Sequence, residues 1–259
     1  MYLEKAKEII KNEYEKNLLL VTTIGKDLIE EKIRHTYQVL GAGNLILKNE
    51  PIYQGLSDDE IDLLKATVLL HDLGRFREAI EEGIDHGVYG AKLLESFEEF
   101  NNYKVRLAVK HHGHLIEYLY QDEEYCNLRK NEQEEVKKYI FLVRDADKIA
   151  NFNLVANEFL EMTDLFFHPK RYNNCKIVSQ KVYDDFMKHR SINKEDIKSV
   201  ADHVLMFFAC IFDLNYKSSF VFLDKLKIME KLVKDCAIFW ENNAKIYQDE
   251  ILDFVKSKL

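Results

Sequence analysis

Apolar side chains recur along this chain at intervals of three and four residues, which is the spacing of one helix face. Val136, Ile140 and Val143 are one example, and no stretch shows the sustained alternation of a half-buried strand. Ser57 and Glu60 have the spacing of a capping box, which predicts a helix start. The pattern predicts helices over residues 2–22, 27–49, 58–71, 84–96, 102–112, 130–160, 175–189, 194–213 and 219–257.

The turn-forming residues are distributed very unevenly. All nine glycines lie at or before Gly113, and the only prolines are Pro51 and Pro169. Because hairpins need turn residues, the second half of the chain is expected to be helical. We therefore predict an all-α fold, with a helical module over residues 1–167 and a C-terminal helical extension over residues 168–259 that packs on it as one compact domain.

Composition narrows the functional classes. The 259 residues are 47% hydrophobic and 32% charged, and the net charge is −8, which disfavours binding to nucleic acid. The charged N-terminus does not resemble a signal peptide, and no apolar run approaches the roughly 20 residues of a membrane span. No two cysteines form a CxxC pair. We expect a cytoplasmic protein without a membrane partner.

Two aspartates lie at positions where the sequence predicts burial, and burial of an ionised carboxylate is energetically unfavourable. His71 and Asp72 follow the apolar run 66–70, so a buried helix is expected to deliver a histidine and an aspartate at its end. Asp145 lies within a predicted helix between apolar residues. A bound cation would compensate such carboxylates. The simpler interpretations are a helix end that emerges into solvent for the first pair, and an exposed or salt-bridged position for Asp145.

Histidines concentrate in the same part of the chain. Six of the nine lie between His35 and His114, and His35 shares a helix face with the apolar Val39. Together with the aspartates they form an ordered set, which resembles the HD-domain superfamily of metal-dependent phosphohydrolases over about residues 30–155. Five segments carry the resemblance: His35 in its helix, Leu69–Gly74, Asp85–Ala91, Val109–Gly113 and Arg144–Lys148.

The resemblance implies a metal site and its ligands. It assigns a first divalent transition metal (Fe, Mn, Ni, Co or Zn) to His35, His71, Asp72 and Asp145. A mixed nitrogen and oxygen ligand set suits these metals better than Mg²⁺ or Ca²⁺. It further suggests a second ion held by Asp72, His86 and His111, with His112 as an alternative or additional ligand. Whether one or two ions bind is left open.

The resemblance also implies a reaction. A hydroxide bound to the metal would hydrolyse a phosphomonoester or phosphodiester of a small metabolite, for which a nucleotide is one candidate. His71 and Asp72 would be catalytic, and Arg75 and Lys148 are the cations expected to bind substrate phosphate.

Two other functions remain open from the sequence: a di-iron oxygenase of the same fold, and a non-catalytic module that senses a nucleotide. The C-terminal helices could pack on the module or on a second copy of the chain.

Overall fold

A computed structural model describes residues 1–20, 23–78, 80–81, 83–167, 172–241 and 243–259, without the side chains of residues 23–29, 164 and 165. Within these ranges the chain is helical and has no strand, which confirms the all-α prediction; one isolated bridge joins Asn173 and Ser199. The chain divides into two compact units, Met1–Asp147 and Lys148–Leu259. The predicted boundary after residue 167 differs from this division, and residues 168–171 lie outside the described ranges.

The first unit contains the helices that carry the candidate residues. Its helices are α1 (Tyr2–Leu18), α2 (Thr23–Asn49), α3 (Asp58–Leu70), α4 (Arg75–Glu78), α5 (His86–Leu94), α6 (Tyr103–His111), α7 (Ile116–Gln121), α8 (Glu123–Cys126) and α9 (Lys130–Asn157), of which α9 continues past Asp147. Helix α3 is central because it packs against α1, α2 and α6. Its second half is almost completely buried, so its C-terminal end lies in the interior of the first unit.

Local sequence explains where α3 begins. The Ser57 hydroxyl accepts a hydrogen bond from the Glu60 backbone N–H, and the Glu60 carboxylate accepts one from the Ser57 backbone N–H. This arrangement is the capping box that the sequence predicts. Asp58, Asp59 and Glu60 in the first turn also place negative charge at the positive end of the helix dipole.

The second unit is built around aromatic side chains. Its further helices are α10 (Phe159–Phe167), α11 (Gln180–Met187), α12 (Val200–Ala209), α13 (Lys217–Lys225), α14 (Ile228–Asp235) and α15 (Ala244–Ser257). Phe167 and Phe208 are fully buried there, and the Trp240 indole N–H donates to the carbonyl of Ala201. The described helices of both units include none with the length and apolar character needed to cross a bilayer.

The prediction of one long helix over residues 219–257 was wrong. The described residues of this range form three α-helices and one short 3-10 helix, and the first break falls at Lys227, whose backbone is left-handed with φ at 53°. A lysine in this conformation is uncommon, and no glycine or proline marks the break in the sequence.

Candidate metal centre

The C-terminal end of α3 presents the His71–Asp72 pair inside the first unit. Leu69 and Leu70 are fully buried, and the chain turns directly after them. His71 is fully buried and Asp72 is 6% exposed. The sequence therefore predicts correctly that the apolar run carries a histidine and a carboxylate into the interior.

The imidazole of His71 is held with one nitrogen lone pair facing the carboxylates. Its Nδ1 lies 2.8 Å from the Val68 carbonyl oxygen, which only accepts, so Nδ1 donates a proton and Nε2 carries the lone pair. Nε2 is buried without a hydrogen-bond partner among the described residues. Burial lowers the pKa of His71 to about 4, which keeps the ring neutral at physiological pH. A neutral imidazole with an unsatisfied buried lone pair is in the state that binds a metal.

Helices α2 and α9 supply a second histidine and a second carboxylate. His35 Nε2 lies 3.0 Å from an oxygen of Asp147, and His71 Nε2 lies 3.8 Å from the same oxygen. One ligand atom from each of the three side chains falls within 4.8 Å of the others, a span that one metal ion can bridge. Burial would raise the pKa of Asp147, but the hydrogen bond and charge of His35 outweigh it and keep this carboxylate ionised.

The structure does not bring Asp145, the predicted last metal ligand, into either His/Asp group of the described residues. Asp147, two residues later on α9, approaches His35 and His71 instead. Asp145 is fully buried and belongs to neither His/Asp group within the described residues. Two residues along a helix correspond to a rotation of about 200° around the helix axis. The two aspartates therefore lie on nearly opposite faces of α9 and cannot face the same site. The motif contains both, and its spacing alone does not select between them.

Asp72 directs its two carboxylate oxygens to different neighbours. Oδ2 lies 3.7 Å from His71 Nε2, whereas Oδ1 lies 3.3 Å from His112 Nε2 and 3.5 Å from His86 Nε2. His71, Asp72 and His112 form a second group whose ligand atoms fall within 4.8 Å. Burial would raise the pKa of Asp72, but Arg75 and the two nearest histidines outweigh it and hold the pKa well below its usual range.

His112 has the same orientation at the end of α6 that His71 has at the end of α3. Its Nδ1 lies 2.7 Å from the Val109 carbonyl oxygen and donates to it, and its Nε2 lies 3.3 Å from Asp72 Oδ1 and 3.3 Å from His86 Nε2. The buried Arg144 of α9 supports this helix end, because its Nη1 donates to the carbonyls of His111, His112 and His114. A cation at a helix C-terminus is favourable. Arg144 is thus a positioning residue that the sequence reasoning did not identify.

His111, which the resemblance assigns to a second metal ion, contacts Asp122 in the structure and not Asp72. Its Nε2 lies 2.7 Å from an oxygen of Asp122, which also accepts from Lys110 at 2.6 Å. Consecutive residues of a helix are separated by about 100°, so His111 and His112 cannot point the same way. Of the pair, only His112 reaches Asp72 in the described residues.

His86 and Arg75 lie on the Oδ1 side of Asp72. His86 Nε2 lies 2.8 Å from Arg75 Nη2, and Arg75 Nε lies 3.3 Å from Asp72 Oδ1. Glu78 accepts from Arg75 Nη1 at 2.6 Å and lies 3.4 Å from His86 Nδ1. Burial would raise the pKa of Glu78, but its contacts with His86 and Arg75 lower it to about 2.

Lys148, the other cation predicted to bind phosphate, belongs to the second compact unit. Its Nζ pairs with an Asp213 oxygen of the same unit at 2.9 Å, and the lysine side chain is only 11% exposed. Its predicted role toward a substrate stays a prediction.

Two glycines allow the turn over residues 71–74 (the HD turn), α5 and α6 to approach one another closely. A Cβ atom on Gly74 would overlap the carbonyl oxygen of His86, and a Cβ on Gly87 would overlap the carbonyl oxygen of Lys110. These contacts bring the backbone of His86 against the HD turn and against the end of α6. The small residues of the motif are therefore needed for close packing around the histidines.

We expect Gly87→Ala to lower the free energy of unfolding by about 2 kcal/mol, because the added methyl group forces α5 away from α6. Gly41→Ala is the matched control, since a Cβ at Gly41 of α2 meets no atom within 4 Å. There, alanine should raise the free energy by up to about 1 kcal/mol through helix propensity. Denaturant unfolding of both variants measures the difference, and equal stability of Gly87→Ala and the parent protein would contradict the packing argument.

Comparison with known families gives a match, which covers the segment that contains the candidate residues. The family model described as HD domain matches residues 33–151, the segment that contains His35, His71, Asp72, His112 and Asp147. Neither the curated proteins nor the solved structures gave a match to the chain. Residues 33–151 therefore match the HD domain, which is consistent with the HD-domain superfamily.

Proposed function

We propose that this protein is a metal-dependent phosphohydrolase that cleaves a phosphoester of a small metabolite, for which a nucleotide is one candidate. The superfamily consists mostly of metal-dependent hydrolases. The observation that carries the proposal is the buried His71 Nε2, which faces Asp72 and Asp147 with no hydrogen-bond partner in the described part of the chain.

The residues present fit a divalent metal. The lone pair of His71 Nε2 points toward carboxylate oxygens of Asp72 and Asp147 without a proton on the facing nitrogen. A lone pair that faces an anionic oxygen is unfavourable unless a cation lies between them. Asp72 and Asp147 would balance the charge of one divalent ion. The mixed ligand set favours Fe, Mn, Co, Ni or Zn over Mg or Ca.

Each protein group has a role in phosphoester hydrolysis. A bound metal would act as a Lewis acid and lower the pKa of water, which is the chemistry that hydrolysis at phosphorus requires. Val68 and Val109 hold His71 and His112 in the tautomer whose Nε2 faces the site. Arg75 uses three N–H groups in its described contacts, and its remaining two suit a phosphoryl oxygen.

A phosphate-release screen tests the proposal. The purified full chain would be incubated with nucleoside mono-, di- and triphosphates, cyclic nucleotides and sugar phosphates, each with Mn²⁺, Fe²⁺, Co²⁺, Ni²⁺ or Zn²⁺. We expect metal-dependent release from one substrate class that ceases with a chelator and in Asp72→Asn. Release that persists in Asp72→Asn, or none from any substrate, would contradict the proposal. Nucleotide binding without turnover would indicate a sensing module, and oxygen consumption by the iron form would indicate an oxygenase.

A further inference from the structure

We propose that the Arg75 guanidinium is a built-in second cation of this centre, which occupies the position beside Asp72, His86 and His112 that a second metal ion would need. The chain would then bind one metal ion, and removal of Arg75 would open a site for another. This inference rests on the proposed function, because it assumes that the first ion binds.

The two oxygens of Asp72 define two separate positions. The Oδ2 side faces His71, which also lies near Asp147. The Oδ1 side faces His112 at 3.3 Å and His86 at 3.5 Å. A carboxylate oxygen flanked by two imidazole nitrogens resembles half of a two-metal centre with a bridging aspartate.

Arg75 occupies the Oδ1 side. Its Nε lies 3.3 Å from Asp72 Oδ1, and its Nη2 lies 2.8 Å from His86 Nε2. The guanidinium therefore contacts a carboxylate oxygen and an imidazole nitrogen that would both be ligands of a second ion. The two residues that Arg75 contacts, Asp72 and His86, are residues that the resemblance assigns to a second metal ion.

The protonation of His86 matches this arrangement. A guanidinium only donates hydrogen bonds, so His86 Nε2 must accept from Arg75 with its lone pair. The proton then lies on Nδ1, which is 3.4 Å from the Glu78 carboxylate. This tautomer is the one that a metal on Nε2 would select, with the guanidinium in place of the metal.

Electrostatics makes the two occupants mutually exclusive. An arginine side chain keeps its positive charge at every pH at which a protein is folded, and Asp72 and Glu78 both contact it. A divalent ion at the same place would lie within a few ångströms of this charge in a largely buried site, and it would lose His86 Nε2 as a ligand. Glu78 is the only other carboxylate that contacts the guanidinium among the described residues. Its contact would keep the arginine near this position even if a metal ion bound to Asp72.

Metal stoichiometry tests the inference directly. The full-length protein and its variants would be dialysed to equilibrium against Mn²⁺, and manganese per chain would be measured by elemental mass spectrometry. We expect one equivalent for the parent protein and two for Arg75→Ala. Electron paramagnetic resonance should show an uncoupled ion in the parent and a spin-coupled pair in Arg75→Ala.

Control variants separate loss of the guanidinium from general disturbance. Arg77→Ala removes a neighbouring arginine of α4 that pairs with Glu81, and it should keep one equivalent. Arg75→Gln keeps polar volume without charge and should also take up a second ion, which covers the case in which Arg75→Ala does not fold. The double variant Arg75→Ala/His86→Ala should return to one equivalent.

The outcomes distinguish the inference from the proposed function. Two equivalents in the parent protein, or equal stoichiometry in the parent, Arg75→Ala and Arg75→Gln, would overturn the role of Arg75 while a metal-dependent enzyme remained. No manganese in the parent together with none in any Arg75 variant would contradict both. One equivalent gained on removing Arg75, with none gained on removing Arg77, supports the inference.

Discussion

Asp72→Asn is expected to reduce the affinity for Mn²⁺ by more than the roughly 10–100-fold that loss of an outer-shell partner costs. Asp72 is the one carboxylate in these contacts whose two oxygens face both His71 and His112. An amide removes the negative charge that draws the ion into a buried site, and its nitrogen cannot act as a ligand. Isothermal titration of the chelator-treated protein with Mn²⁺ measures the loss, and phosphate release should fall with it.

Asp59→Asn is the matched control for this experiment. Asp59 lies in the first turn of the same helix, α3, but is exposed to solvent. Its substitution should leave Mn²⁺ affinity unchanged. Circular dichroism establishes whether Asp72→Asn retains its helices, because loss of the charge also removes a partner of Arg75. Unchanged affinity in a folded Asp72→Asn variant would contradict the proposed centre.

Asp147→Asn should lower the affinity for Mn²⁺ by a factor similar to that expected for Asp72→Asn, which is more than roughly 10–100-fold. Asp145→Asn should change this affinity by less than about threefold. The reason is geometric, because Asp147 lies 3.0 Å from His35 Nε2 and Asp145 belongs to neither His/Asp group in the described residues. The same substitution two residues apart on one helix provides its own control. Titration of both variants with Mn²⁺, after checking their melting temperatures, makes the comparison. The reverse order of affinities would restore the ligand assignment that the sequence suggested.

The sequence predicts the general chemistry of the centre because that chemistry depends on rare residue types in unusual places. A histidine and an aspartate directly after the buried run of α3 require compensation whatever the detailed fold. The capping box predicts the start of the same helix, and the apolar run 66–70 predicts that its end lies in the interior. The family match at residues 33–151 agrees with this expectation.

To choose between neighbouring candidate ligands, one must know which face of the helix each residue occupies. Asp147 continues the row Val136, Ile140 and Val143, and all three of those residues are fully buried. That row was visible in the sequence and places Asp147 on the same helix face as these three residues, whereas Asp145 is rotated about 200° around the helix axis. For His111 and His112 no comparable row decides, because both residues are buried and only their partners differ.

Other contacts depend on tertiary structure that no local pattern encodes. Arg144 of α9 reaches carbonyls at and just after the end of α6 that lie 30 to 33 residues earlier in the chain. The guanidinium of Arg75 contacts His86, which lies on the other side of a charged segment. From the sequence alone, Arg75 is equally well explained as a residue that binds substrate phosphate. Such contacts arise from packing, so they become visible only when the helices are placed.

The central claim is that His71 Nε2, with Asp72 and Asp147, binds a metal ion. Diffraction from Mn²⁺-soaked crystals, collected at the manganese absorption edge, tests it most directly. We predict one anomalous peak within about 2.0–2.3 Å of His71 Nε2 and of a carboxylate oxygen of Asp72 or Asp147, the range of transition-metal ligand bonds. No peak at His71 in crystals soaked at saturating Mn²⁺, with peaks elsewhere on the protein, would contradict it.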